Sequence, residues 1–221
     1  MRSLEFSEGE YYHVCNRGVD KRQIILDHED ADRFMQGLTT FNSTAPVGGL
    51  FVLSCAGKEK SVIQQRAKEG QQLVDIICYC LNPNHFHLLL RERAENGIVR
   101  LLQRSTMGYS KYFNAKYKRK GTLFSGPFRA RWIEDNDDLL HTSAYVNLND
   151  QVHQLRHGVS KLVRSSWNEY LLGKTAICEK AIILGQFKNI AEYKAFAEES
   201  LELILEKKAD DAELEMLGVE L

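Results

Sequence analysis

An α+β fold built on a mainly antiparallel sheet is the architecture that this sequence predicts. β-rich apolar runs come in hairpin-like pairs, most clearly LVDIICYCL and HFHLLLR about the turn-forming Asn82-Pro83-Asn84, and helical stretches separate such pairs. No glycine-rich turn leads from a strand into a helix, so a doubly wound parallel sheet is disfavoured.

Taken in order, YYHVCN and RQIIL read as two short strands about the turn RGVDK. Asp27 or Asp30 can cap a helix through ADRFMQGLTTF, where Phe34, Leu38 and Phe41 share one face. Residues 42–70 read as an insertion with a possible strand, GLFVLSC, and a polar helical piece, KSVIQQRAKEG. After the central hairpin, Ile98, Leu101, Leu102, Ser105, Tyr109 and Tyr112 follow helical spacing, with Gly121 as the expected stop. LFSGPFRARWIE reads as a strand kinked at Gly126-Pro127. Acidic residues from Asp135 to Asp138 suit a helix N-terminus, opening DDLLHTSAYVNLN. Residues 151–221 read as wholly helical, which gives an expected division into a domain over 1–150 and a helical extension over 151–221.

With 43% apolar and 27% charged residues, the 221-residue chain has ordinary globular composition and can bury a core without disulfides. Its five cysteines are odd in number and form no Cys-x-x-Cys pair, which suits a reducing compartment. The first residues contain no apolar signal core, and no run approaches the roughly 18 residues of a membrane span. A cytoplasmic protein without a membrane partner is expected. The net charge of −1 hides a strong asymmetry. No acidic residue occurs over 97–133, where Arg100, Arg104, Lys111, Lys116, Lys118, Arg119, Lys120, Arg129 and Arg131 fall, whereas the last part of the chain is rich in Glu and Asp. Tyrosines interleave with these cations in KYFNAKYKRKG, a combination that suits phosphate contact and base stacking. A solvated helix face is the alternative.

The chemistry concentrates in two places. His85 and His87 are two apart on a strand, so both imidazoles project to one side, half of a site for a divalent metal. They could equally be ordinary half-buried histidines. Cys78 and Cys80 could extend the pair into a zinc cluster, but in an unbroken strand their parity is opposite unless the turn at Asn82 to Asn84 resets it, and packed cysteines are the simpler account. A histidine-triad hydrolase would need a third histidine where Leu89 stands. Two protein ligands leave room for a phosphate oxygen. On the helix after Asp135, Tyr145 offers a nucleophilic phenol and Asn149, four residues on, a carbonyl ligand suited to Mg²⁺ or Mn²⁺. His141 lies one turn earlier on the same face. Spacing alone leaves Tyr109, Tyr112 and Tyr117 as competing nucleophiles.

Three blocks, YYHVCNRGVDKRQIIL, CYCLNPNHFHLLLRE and GTLFSGPFRARWIEDNDDLLHTSAYVNLN, together resemble the single-strand transposases of the insertion-sequence 200 type. The likeness is greatest to the branch associated with repetitive extragenic palindromes, and it extends weakly into RSSWNEYL and IAEYKAFAEES. The resemblance implies the HUH nuclease fold, related to the ferredoxin-like fold. It implies a divalent metal on His85 and His87 with Asn149 as a further ligand, and Tyr145 as the nucleophile forming a 5′-phosphotyrosine. The implied partner is single-stranded DNA with a hairpin, met by a monomer or homodimer. Candidate DNA contacts are Arg17, Arg104, Lys111, Lys118, Arg119, Lys120, Arg129 and Arg131. A hairpin-binding protein that does not cut, and a phosphodiesterase that uses water, are the alternatives.

Overall fold

The structure is a computed structural model that describes residues 4–46, 69–153, 161–172 and 177–216, with side chains up to residue 208. The possible strand GLFVLSC and most of the helical piece after it lie outside the described residues.

Five strands form one antiparallel sheet: β1 (Tyr11–Arg17), β2 (Val74–Leu81), β3 (His85–Glu92), β4 (Arg129–Trp132) and β5 (Arg164–Ser165). Their spatial order is β4-β1-β3-β2-β5. The helices are α1 (His28–Thr40), α2 (Gly97–Lys116), α3 (Asn136–Asn147), α4 (Asn149–Val152), α5 (Trp167–Leu171), α6 (Ala181–Leu184) and α7 (Ile190–Met216). The α+β, antiparallel reading of the sequence is borne out. Among the described residues, no helix is long and apolar enough to cross a membrane.

Two layers of helix cover the sheet. On one face Phe86 packs against Phe34 of α1, whose ring also meets Tyr109 of α2, with centroids 5.2 Å apart in both pairs. On the other face α3 lies over β2 and β3, where the Cys78 thiol points to the Ser143 carbonyl. Outside α3, the buried Tyr193 of α7 accepts a hydrogen bond from Asn147 Nδ2 at 2.8 Å and shares another with Ser143. Aspartate caps start both α1 and α3: Asp27 accepts from the Asp30 amide, and Asp135 from the Asp138 amide.

Four elements differ from expectation, each for a local reason. RQIIL forms no strand, because β1 already has β3 on one edge and β4 on the other. Positive φ at Asp20 and Lys21 turns the chain aside, and the Ile24 and Ile25 amides donate instead to Pro83 O. Helix α2 stops at Lys116, before Gly121, with Lys118 taking the left-handed conformation expected of a glycine. The strand expected over LFSGPFRARWIE is confined to β4, since Gly126 at φ +77° bends the segment before it. The expected wholly helical end includes β5, which pairs with the otherwise free edge of β2.

Helix α2 begins without a side-chain cap of its own, because Asn96 is left-handed and makes no capping bond. The cap comes from the end of β3. The Glu92 carboxylate, 1% exposed, accepts from the Gly97 and Ile98 amides at 2.7 and 2.8 Å. A side chain at Gly97 would collide with Leu73 O, as an added Cβ would stand 2.1 Å from it. Glu92 thus ties the sheet to the start of the basic helix. Replacing it with Ala leaves the buried Ile98 amide without its acceptor and the Gly97 amide with only the Ala94 carbonyl, which should cost about 1–3 kcal/mol in a urea melt. Glu92→Gln, which keeps one acceptor oxygen, should fall between Ala and the wild type.

Candidate active site

The site begins with strand parity. Directly paired residues of antiparallel strands share a face. The register pairs Cys15 with His87, Arg17 with His85 and His13 with Leu89, while β4 pairs Arg129 with Cys15 and Arg131 with His13. His13, Cys15, Arg17, His85, His87, Arg129 and Arg131 therefore occupy the sheet face that α3 covers. Beside the end of α3 this face opens into a cleft of about 280 Å³, lined among others by Arg17, His85, His87, Arg129, Tyr145 and His153.

Both expected histidines are there, and a third joins them. Single ligand atoms of His85, His87 and His153 all lie within 4.8 Å of one another. His85 Nδ1 is 2.6 Å from Asn84 Oδ1; since that oxygen only accepts, Nδ1 carries the proton and Nε2 is bare. Asn149 Oδ1 stands 3.1 Å from this bare nitrogen, and Asn82 Nδ2 bonds to both atoms, at 3.0 and 2.8 Å. Two ligands of one cation, each bound at about 2.1 Å and at right angles, would be separated by roughly 3.0 Å. Burial lowers the pKa of all three histidines, His87 to about 2 and His153 to about 4; neighbouring imidazoles add to the shift of these two, and Arg17 and Lys208 to that of His85. Neutral imidazoles and a facing carbonyl oxygen are the donor set that a divalent metal requires, so these residues fit one.

Tyr145 closes the same cleft. Its ring meets His87 and His13 edge-on, with centroids 5.4 and 5.7 Å away. Burial raises its pKa, and the Asn149 side chain draws it partly back. Asn149 is fully buried, and its Nδ2 finds no close acceptor among the described residues. The same amide thus offers an oxygen to His85 and an N–H to a Tyr145 phenolate. The competing tyrosines are engaged elsewhere. Tyr109 donates to Ile24 O, Tyr112 to Asp30, and Tyr117 to Asp27 and Asp30. His141 faces α7, bonding to Ser200 at 3.1 Å and packing on Phe196.

The family model for IS200-like transposases matches residues 50–169, just over half of the chain. The chain belongs to this family. The fold agrees with a solved structure of a REP-associated tyrosine transposase bound to a REP hairpin, at a TM-score of 0.51 and 15% identity. That match covers 80% of this chain and 88% of the other. No curated protein matches the chain significantly.

The transposase distributes its expected DNA-contacting cations unevenly. Arg17 and Arg129 line the cleft itself. Lys111 lines a neighbouring groove with Phe124 and Met107, and Ser125 borders both depressions. Lys118 and Lys120 are exposed just beyond α2. Arg104 bonds to Ser43 O at 2.9 Å, away from the cleft, and Arg119 to Asn114 Oδ1 at 2.6 Å. Arg131 is held by both carboxylate oxygens of Asp138, at 2.5 and 2.9 Å.

Sequence reasoning missed His153 and His13. His153 was within reach, since Tyr145, Asn149 and His153 repeat every four residues. His13 required the β1–β3 register. The parity argument for the cysteines needs correction. The turn at 82–84 shifts the register, so Cys80 pairs with His87 on the same face. Cys78 and Cys80 stay out of the histidine cluster as buried thiols, their pKa values pushed up chiefly by desolvation. Cys15 borders the cleft, but burial raises its pKa as well, despite Arg129 and Arg17.

One pH effect follows from the Arg131–Asp138 pair. Its hydrogen bond with Arg131 holds the Asp138 carboxyl below the usual range. The resulting stability is present above the unfolded aspartate pKa, about 3.9, and disappears as pH falls through the lower folded value. Asp138→Asn should therefore be less stable than wild type near neutrality, and the two melting temperatures should converge in acid.

Proposed function

We propose that this transposase cuts and rejoins single-stranded DNA beside a hairpin, with Tyr145 as the nucleophile and a divalent cation, Mg²⁺ or Mn²⁺, on His85, His87, Asn149 and His153. The observation that carries this reading is the convergence of the end of α3 and the short α4 on one strand. Tyr145, Asn149 and His153, spaced by four, all meet the His85/His87 pair.

The cation, when bound, would polarise a phosphate oxygen and offset the negative charge that develops during displacement. The protein supplies the rest. Arg17 and Arg129, on the adjacent strands, can hold neighbouring phosphates at the cleft. Asn149 Nδ2 favours the phenolate of Tyr145. The phenol gives up its proton to solvent, its oxygen attacks phosphorus, the bond to the 3′-oxygen breaks, and the 3′-oxygen takes up a proton from solvent. The product is a 5′-phosphotyrosyl link and a free 3′-hydroxyl. Because the link conserves the phosphoester, a 3′-hydroxyl can reverse the step without ATP.

Several facts support a hairpin-bearing substrate. The fold is shared with a transposase solved on a REP hairpin. The cleft also runs past Ser125 into the groove lined by Lys111, Met107 and Phe124, which offers a cation and apolar surface to unpaired bases.

A labelled oligonucleotide carrying a hairpin from the DNA beside the gene tests this directly. With Mn²⁺, the wild type should form a covalent adduct that survives denaturation. Tyr145→Phe should lose the adduct and keep hairpin binding, whereas Tyr109→Phe should keep both. Cleavage without an adduct would point to water as the nucleophile, and binding alone to a protein that recognises hairpins without cutting them. Removing a ligand should also be visible without DNA. His85→Ala and His153→Ala should each weaken Mn²⁺ binding by at least about tenfold, the loss typical even of an outer partner. Unchanged affinity in both would remove the metal from this site.

A further inference from the structure

Behind the cleft, and absent from its lining, stands His13. Its Nε2 is 2.9 Å from Nδ1 of His87, and the two rings stack at an interplanar angle of 18°. A neutral imidazole has one donor and one acceptor nitrogen, so this contact is a choice between two tautomers. If His87 Nδ1 donates, its Nε2 lone pair is free to face His85 and His153. If His13 Nε2 donates, the His87 proton must sit on Nε2, and His87 cannot bind a cation there.

Only the first arrangement leaves His87 able to share a cation with His85 and His153. A neutral His13 with a bare Nε2 is an acceptor, the role that backbone carbonyls and carboxylates commonly play behind metal-bound histidines. The same ring also meets Tyr145 edge-on, so His13 packs against both the ligand and the nucleophile.

We propose that His13 is a positioning residue: by accepting a hydrogen bond from His87 Nδ1 it holds His87 in the tautomer whose Nε2 can bind the cation. This rests on the metal reading above. A ring that merely filled space beside His87 would be replaceable by any side chain of similar bulk, and the test uses that distinction.

The experiment is a calorimetric titration of the full chain with Mn²⁺ in the absence of DNA, on wild type, His13→Ala, His13→Leu and His13→Gln. Ala and Leu, which offer no acceptor, should weaken Mn²⁺ binding by about 10–100-fold. Gln, whose amide oxygen can reach His87 Nδ1, should recover most of the affinity. Thermal melts without metal should show Leu and Gln folded alike. If Ala unfolds, the comparison of Gln with Leu, which are similar in size, decides the matter. Equal Mn²⁺ affinity in Leu and Gln, whether unchanged or weakened, would overturn the inference and leave His13 a packing residue. A wild type that takes up no Mn²⁺ would overturn the metal reading itself, an outcome distinct from any difference among the variants.

Discussion

The pairing of β1 with β3 is the constraint on which the rest of the site depends. Side chains alternate faces along a strand, so setting Cys15 opposite His87 places the odd-numbered residues of both strands on one surface. A slip of one residue in β1 would move His13 and Arg17 to the face packed by α1 and α2. Arg129 and Arg131 depend on the same choice through the register between β4 and β1. The histidine face, His13 behind it and the two cleft arginines are therefore consequences of a single alignment of backbone hydrogen bonds.

Much of the frame was legible in the sequence because local chemistry specified it. Asp27 and Asp135 both cap helices, as acidic residues before amphipathic segments should. The hairpin about Asn82-Pro83-Asn84 forms as two apolar runs around a turn predict. What escaped were features that no local pattern encodes. RQIIL has strand composition but no vacant sheet edge to join. Glu92 reads as an unremarked charge at a strand end and proves to be a helix cap. His153 is the exception, since the spacing by four from Tyr145 through Asn149 reaches it across Leu148, where α3 breaks and α4 begins.

The site residues divide along the same line. The pairing of His85 with His87 follows from alternation alone. Choosing Tyr145 among the tyrosines required the resemblance to a family. The structure supplies an independent physical reason, since Tyr109, Tyr112 and Tyr117 have their hydroxyls engaged with Ile24 O, Asp27 or Asp30. Asn149 gains a double role that no spacing rule suggests, with its oxygen turned to His85 and its N–H available to Tyr145.

Lys116 counted among the cations of the basic segment, yet it lies among Asp27, Glu29 and Asp30 at 2.8–3.0 Å, and its ammonium is correspondingly hard to deprotonate. Arg131 is similarly taken by Asp138. A cation already paired inside the protein displaces few counterions from an arriving phosphate backbone, because its field is spent on a neighbour. The positive field left open to an incoming polyanion is thus smaller than a count of Lys and Arg over 97–133 implies. Arg17 and Arg129 line the cleft, Lys111 lines the groove beside it, and Lys118 and Lys120 stand exposed beyond α2.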